Sequence, residues 1–218
     1  MIALRPYQVD AVDRVEQALG SAARPLLVAP TGSGKTVMFA EIIKRLVAQH
    51  KRVLVLAHRR EIINQTSNKL TAHGVAHGVV MAGADERLRP QATVQVASVQ
   101  TLWSRGMRSR AMEMPLADLI VVDEAHHTVA RTYSQIVEAY PAAMLMGCTA
   151  TPCRGDGRGL GGIFSVLVEA PQVAELISGN FLVGAKVYAP VDPNLKGVRT
   201  KAGDYVVSQL SQTSSPIG

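Results

Sequence analysis

Between Ala29 and Thr36 the chain reads Ala-Pro-Thr-Gly-Ser-Gly-Lys-Thr. Small residues at Thr31, Gly32, Ser33 and Gly34 let successive backbone N–H groups point at phosphate oxygens. Lys35 then brings charge and reach to β- and γ-phosphates, and the Thr36 hydroxyl can hold Mg²⁺. The strict phosphate-loop pattern has Gly where Ala29 stands, so the match is to its relaxed form. A second segment, Leu119-Ile-Val-Val-Asp-Glu-Ala-His126, sets two carboxylates at the end of an apolar run. Asp123 would there coordinate Mg²⁺ through water, and Glu124 would orient or deprotonate an attacking water. Two adjacent carboxylates alone could equally be a solvated turn; the phosphate loop upstream decides for chemistry. Thr149-Ala-Thr151 is a third polar cluster, and on its own it reads as a satisfied turn.

Such groups need a frame that carries them to one place. Pro25-Leu-Leu-Val-Ala29, just before the loop, has strand length, and Phe39, Ala40, Ile43, Leu46 and Val47 after it recur at helical spacing. Arg5-Pro6 opens an earlier helix, with Pro at a first helical position and Ala11, Val12, Val15, Ala18 and Leu19 on one face. Arg52–Ala57 and Leu119–Val122 read as strands buried on both faces. Thr93–Ala97 and Ala143–Gly147 are shorter candidates, and Gly78–Met81 is a weak one. Apolar runs separated by amphipathic stretches imply βαβ units: an α/β fold with a mostly parallel sheet and helices on both faces. Past Pro152 the pattern changes to a glycine-rich loop over 154–162, then a strand (163–169), a short helix (171–178) and a strand (185–189). Residues 208–218 are polar and read as a linker or frayed end.

Composition bounds the function. Of 218 residues 47% are hydrophobic and 18% charged, which supports a packed core and excludes a disordered chain. Aromatics make up 4%, so that core is aliphatic. No run of 18 apolar residues exists and the N-terminus is not a signal peptide. With two cysteines and no disulfide framework, a cytoplasmic protein is expected. Cys148 and Cys153 lack further ligands at zinc spacing. The net charge of +6 is uneven: residues 1–110 hold 16 Lys/Arg against 7 Asp/Glu. An anionic partner such as phosphate or nucleic acid would suit that half, as would ordinary solvated charge. A solvated basic loop accounts for Arg105, Arg108 and Arg110, and core packing for Trp103.

The order Leu4-Arg-Pro-Tyr-Gln8, Ala29–Thr36, Asp123-Glu-Ala-His126 and Thr149-Ala-Thr151 resembles the first motor domain of a superfamily 2 DEAD/DEAH-box helicase. Within that group it is similar to the bacterial and phage branch of RadD-like proteins and type III restriction enzyme motors. The resemblance implies a RecA-like P-loop NTPase domain over residues 1–207, with ATP and Mg²⁺ as its ligands. It implies that Gln8 reads the adenine edge, its amide offering donor and acceptor, and that Arg5 stacks on the base. Lys35, Thr36, Asp123 and Glu124 match the phosphate, magnesium and water positions. His126, Thr149 and Thr151 match the parts that couple hydrolysis to nucleic-acid contact, by hydroxyl hydrogen bonds to the acidic motif. Arg59, in Ala57-His-Arg-Arg-Glu61, aligns with backbone contacts to nucleic acid, as do Gln100 and Thr101 in Ser98–Leu102; a helix N-cap is the alternative at each place. Such contacts are salt-dependent and tolerant of sequence.

Motors of this kind have two RecA-like lobes, the second supplying an arginine finger. No room for that lobe follows Thr151, so the sequence is expected to be half a motor whose partner lobe belongs to a full-length protein. The expected function is the ATP-binding lobe of a nucleic-acid helicase or translocase, weak as an ATPase in isolation. DNA is the expected partner because the resembling branch acts on DNA. Two alternatives stay open: a non-catalytic nucleic-acid or partner-binding module, and a small single-domain P-loop phosphotransferase.

Overall fold

In the computed structural model the described residues are 3–127, 131–152, 159–184 and a short strand pair at 200–201 and 204–205. Cys153, most of the expected loop over 154–162, the strand over 185–189 and the linker over 208–218 lie outside them.

Seven parallel strands form the sheet: β1 (Pro25–Val28), β2 (Val53–Ala57), β3 (His77–Val80), β4 (Val94–Ser98), β5 (Leu119–Asp123), β6 (Met144–Thr149) and β7 (Val166–Glu169). Their order is β3-β4-β2-β5-β6-β1-β7, so β1 lies between two strands from the far end of the sequence. A separate antiparallel pair joins β8 (Thr200–Lys201) to β9 (Asp204–Tyr205). Every residue of β1, β2, β4 and β5 is buried, as expected of parallel strands covered on both faces. The boundaries expected for β1 to β6 hold to within one or two residues, the strand expected over 163–169 begins only at Val166, and the weak candidate at 78–81 is a full member of the sheet at its edge.

The helices are α1 (Pro6–Gly20), α2 (Lys35–Ala48), α3 (Arg60–Ala72), α4 (Val99–Thr101), α5 (Arg131–Glu138) and α6 (Val173–Ser178). One face of the sheet carries α1, α2 and α3, whose Val12, Val15, Phe39, Ile43, Ile63 and Leu70 pack on Val55, Val96 and Val121. The other face packs Leu102, Tyr133, Ile136 and Phe164 against Leu54, Leu56, Ile120 and Val122. The alternation of strand side chains between these two clusters is the period of two expected for a pleat. Arg45 fastens α2 to α1, donating from Nη1 to Asp13 Oδ1 and Glu16 Oε2, 2.7 Å each. Arg52 grips Asp118 through its backbone N–H and guanidinium at 2.8–3.0 Å, so the starts of β2 and β5 are level.

One local expectation is corrected. Residues 102–108 are a π-helical segment rather than a loop, continuing α4 with Arg105 and Arg108 exposed on it. Its buried Gly106 leaves space that Met114 fills. Trp103 lies on the second core cluster as expected, and its indole N–H donates to Gln135 Oε1 at 2.9 Å.

Candidate nucleotide site

The carboxyl ends of parallel strands are where such sheets hold ligands. Three neighbouring strands, β1, β6 and β5, end here in the phosphate loop, Thr149 and Asp123. The loop turns because Gly32 and Gly34 take φ of +86° and +87°, conformations closed to most side chains. Ser33 is fully buried and donates from Oγ to Pro30 O at 2.7 Å, tying the loop across its base. Gly34 O then accepts from the N–H groups of Val37 and Met38, which starts α2 with Lys35 and Thr36 in its first turn.

Lys35 crosses to the acidic pair. Its ammonium donates to Glu124 Oε1 at 2.6 Å and lies 3.4 Å from Asp123 Oδ1. Burial pushes the Asp123 carboxyl above the ordinary carboxylate range, with Lys35 opposing and Glu124 adding to the rise. Burial also works to lower the Lys35 pKa, but Asp123 and Glu124 together outweigh it and hold the ammonium above its usual value. Glu124 is a non-glycine residue at φ +55°, and its own N–H donates to Asp123 Oδ1 at 3.0 Å. Such left-handed residues gather at functional sites.

Behind the pair, His126 Nδ1 lies 3.4 Å from Glu124 Oε2 and 3.3 Å from Thr149 Oγ1. Thr149 is fully buried; its hydroxyl donates to Thr151 O and accepts from Thr151 N–H. The polar turn and the link to the acidic motif are therefore one structure: Thr149 does both, while Thr151 takes part through its backbone. Cys148, beside it on β6, is fully buried, and burial pushes its thiol up.

Gln8 has a use the sequence did not show. Its Oε1 accepts from Arg5 N–H at 2.9 Å, capping α1, and its Nε2 donates to Ser33 O at 2.9 Å. A base would use the amide's remaining hydrogen or lone pair. Tyr7, not singled out in the sequence, donates its hydroxyl to the same Ser33 O at 2.7 Å. Arg5 is exposed, and its guanidinium carbon lies 5.4 Å from the Phe181 ring centroid.

Thr31, Gly32, Gly34, Lys35, Thr36, Asp123 and Glu124 line one cleft of about 330 Å³ with Ile62, Gln65 and Lys69 of α3. The last two were missed: polar residues on a helix face carry no mark of what that face meets. A larger groove of about 780 Å³ at the β3 edge, lined by Thr71, 74–77 and 88–92, has no carboxylate in its lining.

The expected nucleic-acid residues follow β2 and β4 on the same edge of the sheet. Arg59 is exposed at the N-cap of α3, and Gln100 is exposed. Thr101 is corrected: it is 6% exposed, and its hydroxyl accepts from Ala82 N–H at 3.2 Å. Its side chain is held inside the fold.

A family model described as "Type III restriction enzyme, res subunit" matches residues 1–154. A 51.5 kDa protein of a Lactococcus phage is 32% identical over 180 residues, covering 83% of this chain and 36% of that protein. The DNA 3'-5' translocase XPB2 of Sulfurisphaera tokodaii is 26% identical over 95% of this chain and 46% of its own length. Among solved structures, a nuclease-deletion mutant of the type ISP restriction-modification enzyme LlaGI, in complex with a DNA substrate mimic, superposes with a TM-score of 0.66. Its identity is 19%, and the match covers 83% of this chain and 21% of that one. The chain thus spans less than half of each of these proteins. The expected α/β architecture is the one found, since that likeness is one of fold. Among the described residues, no helix is long and apolar enough to cross a membrane.

Proposed function

Because the chain belongs to the family of type III restriction enzyme res subunits, we propose that it is the ATP-binding lobe of an ATP-dependent nucleic-acid helicase or translocase, acting on DNA. The observation that carries the proposal is the meeting of Lys35, at the start of α2 after β1, with Asp123 and Glu124 at the end of β5, two strands away across β6. In this reading the loop N–H groups take the phosphates, and Lys35 moves from the carboxylates to the β- and γ-phosphates of ATP. The donors left behind are carboxylate and hydroxyl oxygens, a hard set that suits Mg²⁺. Asp123 and Thr36 would hold that ion, which offsets charge on the phosphates.

Glu124 then accepts a proton from water as the water oxygen bonds to the γ-phosphorus. The bond from that phosphorus to the β–γ bridging oxygen breaks, and ADP leaves with the electron pair. His126 and Thr149 would relay the state of Glu124 toward β6, and Arg59 and Gln100 would meet the DNA backbone. Gln8 and Arg5 are assigned to the nucleobase. The lobe is taken to cover residues 1–207, with a second RecA-like lobe in the full-length protein supplying an arginine finger. Such a finger is worth about 10³–10⁵ in rate, so this chain alone is expected to be a slow ATPase.

The test is Mg-ATP binding and phosphate release by the chain and by Lys35→Ala, with and without single- and double-stranded DNA. Binding that requires Lys35, with little turnover, is the expected result. Fast DNA-stimulated turnover would refute the half-motor reading, and transfer of phosphate to a small acceptor would refute the helicase one. Absence of Mg-ATP binding at about 1 mM would mean a non-catalytic module.

A further inference from the structure

Three phenylalanines occur in the chain. Phe39 and Phe164 are core residues, 0% and 4% exposed, whereas Phe181 is half-buried and lies at the nucleotide loop. Its position is firmly set. After α6, Asn180 turns the chain at φ +57°, and the N–H groups of Phe181 and Leu182 both donate to Leu176 O, at 2.8 and 3.0 Å. Leu176 is itself fully buried, so the turn is anchored in the fold. Gly179 leaves room for the ring, since a Cβ there would lie 3.0 Å from it.

From this anchor one side chain reaches the loop and another reaches the residues that flank it. Leu182 Cδ2 would be 3.2 Å from a Cβ on Gly32. The Phe181 ring meets Tyr7 edge-on at 5.1 Å, and Tyr7 holds Ser33 O. Arg5 reaches over the ring and donates from Nη1 to Phe181 O at 2.9 Å. An aromatic ring, a guanidinium and the Gln8 amide thus border the phosphate loop together. Aromatic rings and guanidinium planes are the groups on which heteroaromatic bases rest.

We propose that Phe181 is a nucleobase-binding residue: its ring, with Arg5, forms the wall against which the base of the bound nucleotide lies. The inference rests on the loop being a nucleotide site. Because every base offers a π face, Phe181 supplies affinity for a base of any kind, and discrimination falls to Gln8.

The experiment compares Mg-ATP with Mg-tripolyphosphate, which lacks the nucleoside, by calorimetry on the 218-residue chain. Phe181→Ala and Phe181→Leu are expected to weaken ATP about tenfold and to leave tripolyphosphate unchanged, while Phe181→Trp restores ATP. The Leu variant keeps apolar bulk on the turn, so it serves if the Ala variant fails to fold. Parallel loss of both ligands in the Leu variant would mean that the turn merely props the loop, and the proposal would fail. Unchanged or tighter ATP binding would overturn it too. Lys35→Ala tests the underlying reading separately, since it should lose both ligands; if it loses neither, the phosphate loop is what was misread.

Discussion

Exchanging Lys35 for Met keeps the length of the stem and removes the ammonium. That ammonium faces two carboxylates at 2.6 and 3.4 Å, with side-chain exposures of 14% for Lys35, 27% for Glu124 and 6% for Asp123. Removing one partner of a fully buried pair costs about 3–5 kcal/mol. Glu124 keeps part of its hydration, so about 2–3 kcal/mol is expected near pH 8. For a chain of this size that lowers Tm by roughly 4–12 °C. The loss carries a pH signature. Burial already raises Asp123, and Lys35 is the charge that opposes the rise; without it the carboxyl goes higher. Between its unfolded and folded pKa such a group binds more protons in the native state, so the variant loses stability as pH rises and regains it on acidification. Urea unfolding of both proteins at about pH 8 and about pH 5, without nucleotide, measures this. The gap between them must narrow at the lower pH. An equal gap at both, or none at pH 8, would refute the assignment of Lys35 as counter-charge to a buried carboxylate.

Glu124→Gln should keep Mg-ATP binding and lower phosphate release about 10²–10⁴-fold, the usual worth of a positioned base; a rate within tenfold of the parent would remove Glu124 from that role. The Tyr133 hydroxyl is buried without a hydrogen-bond partner among the described residues. Tyr133→Phe should therefore raise stability by up to about 1 kcal/mol, and a fall in Tm would count against the unpaired hydroxyl. Arg52 depresses the Asp118 carboxyl to about 2, so its contribution is present above its ordinary pKa of 3.8 and lost as pH falls toward 2. In Arg52→Gln an NMR titration should find Asp118 back near the usual carboxylate range, and an unmoved value would discount the pairing. Gly147→Ala places a Cβ against Phe164, Ala125 and Leu26, for which about 1–3 kcal/mol of destabilisation is expected in thermal unfolding.

Much of the frame was legible because buried parallel strands are written as unbroken apolar runs. Val53–Ala57 and Leu119–Asp123 announce themselves, and the loop glycines mark the turn between β1 and α2. His77-Gly-Val-Val80 is harder: it is short and begins with a polar residue, and only its pairing with β4 makes it a strand. The π-helical stretch at 102–108 has no pattern of its own, since Arg105 and Arg108 suit a loop equally well. That Lys35, Asp123 and Glu124 are candidates for one site could be read from residue type and order, although the contact of Lys35 with both carboxylates could not. What sequence could not supply were roles made by distant neighbours. Thr101 is turned inward by the Ala82 amide, Gln8 is occupied by Ser33, and Phe181 meets Arg5 from 176 residues away.

The place of β1 in the sheet bears on how the protein is made. Val28 pairs with Thr149 on one side and Glu169 on the other, so the strand leading into the phosphate loop has no neighbour until roughly 120 further residues exist. At the usual pace of translation, about 5–20 residues per second, that is a delay on the order of 6–24 s. Strands β2, β3 and β4 are complete by Ser98 and can pair with each other well before then. The half of the sheet that carries Arg59 and Gln100 can thus form first, and the nucleotide half closes last around a strand made near the beginning. During that interval α1 can already pack on α2, but β1 is an apolar strand without sheet neighbours, the kind of surface on which a nascent chain binds chaperones or aggregates.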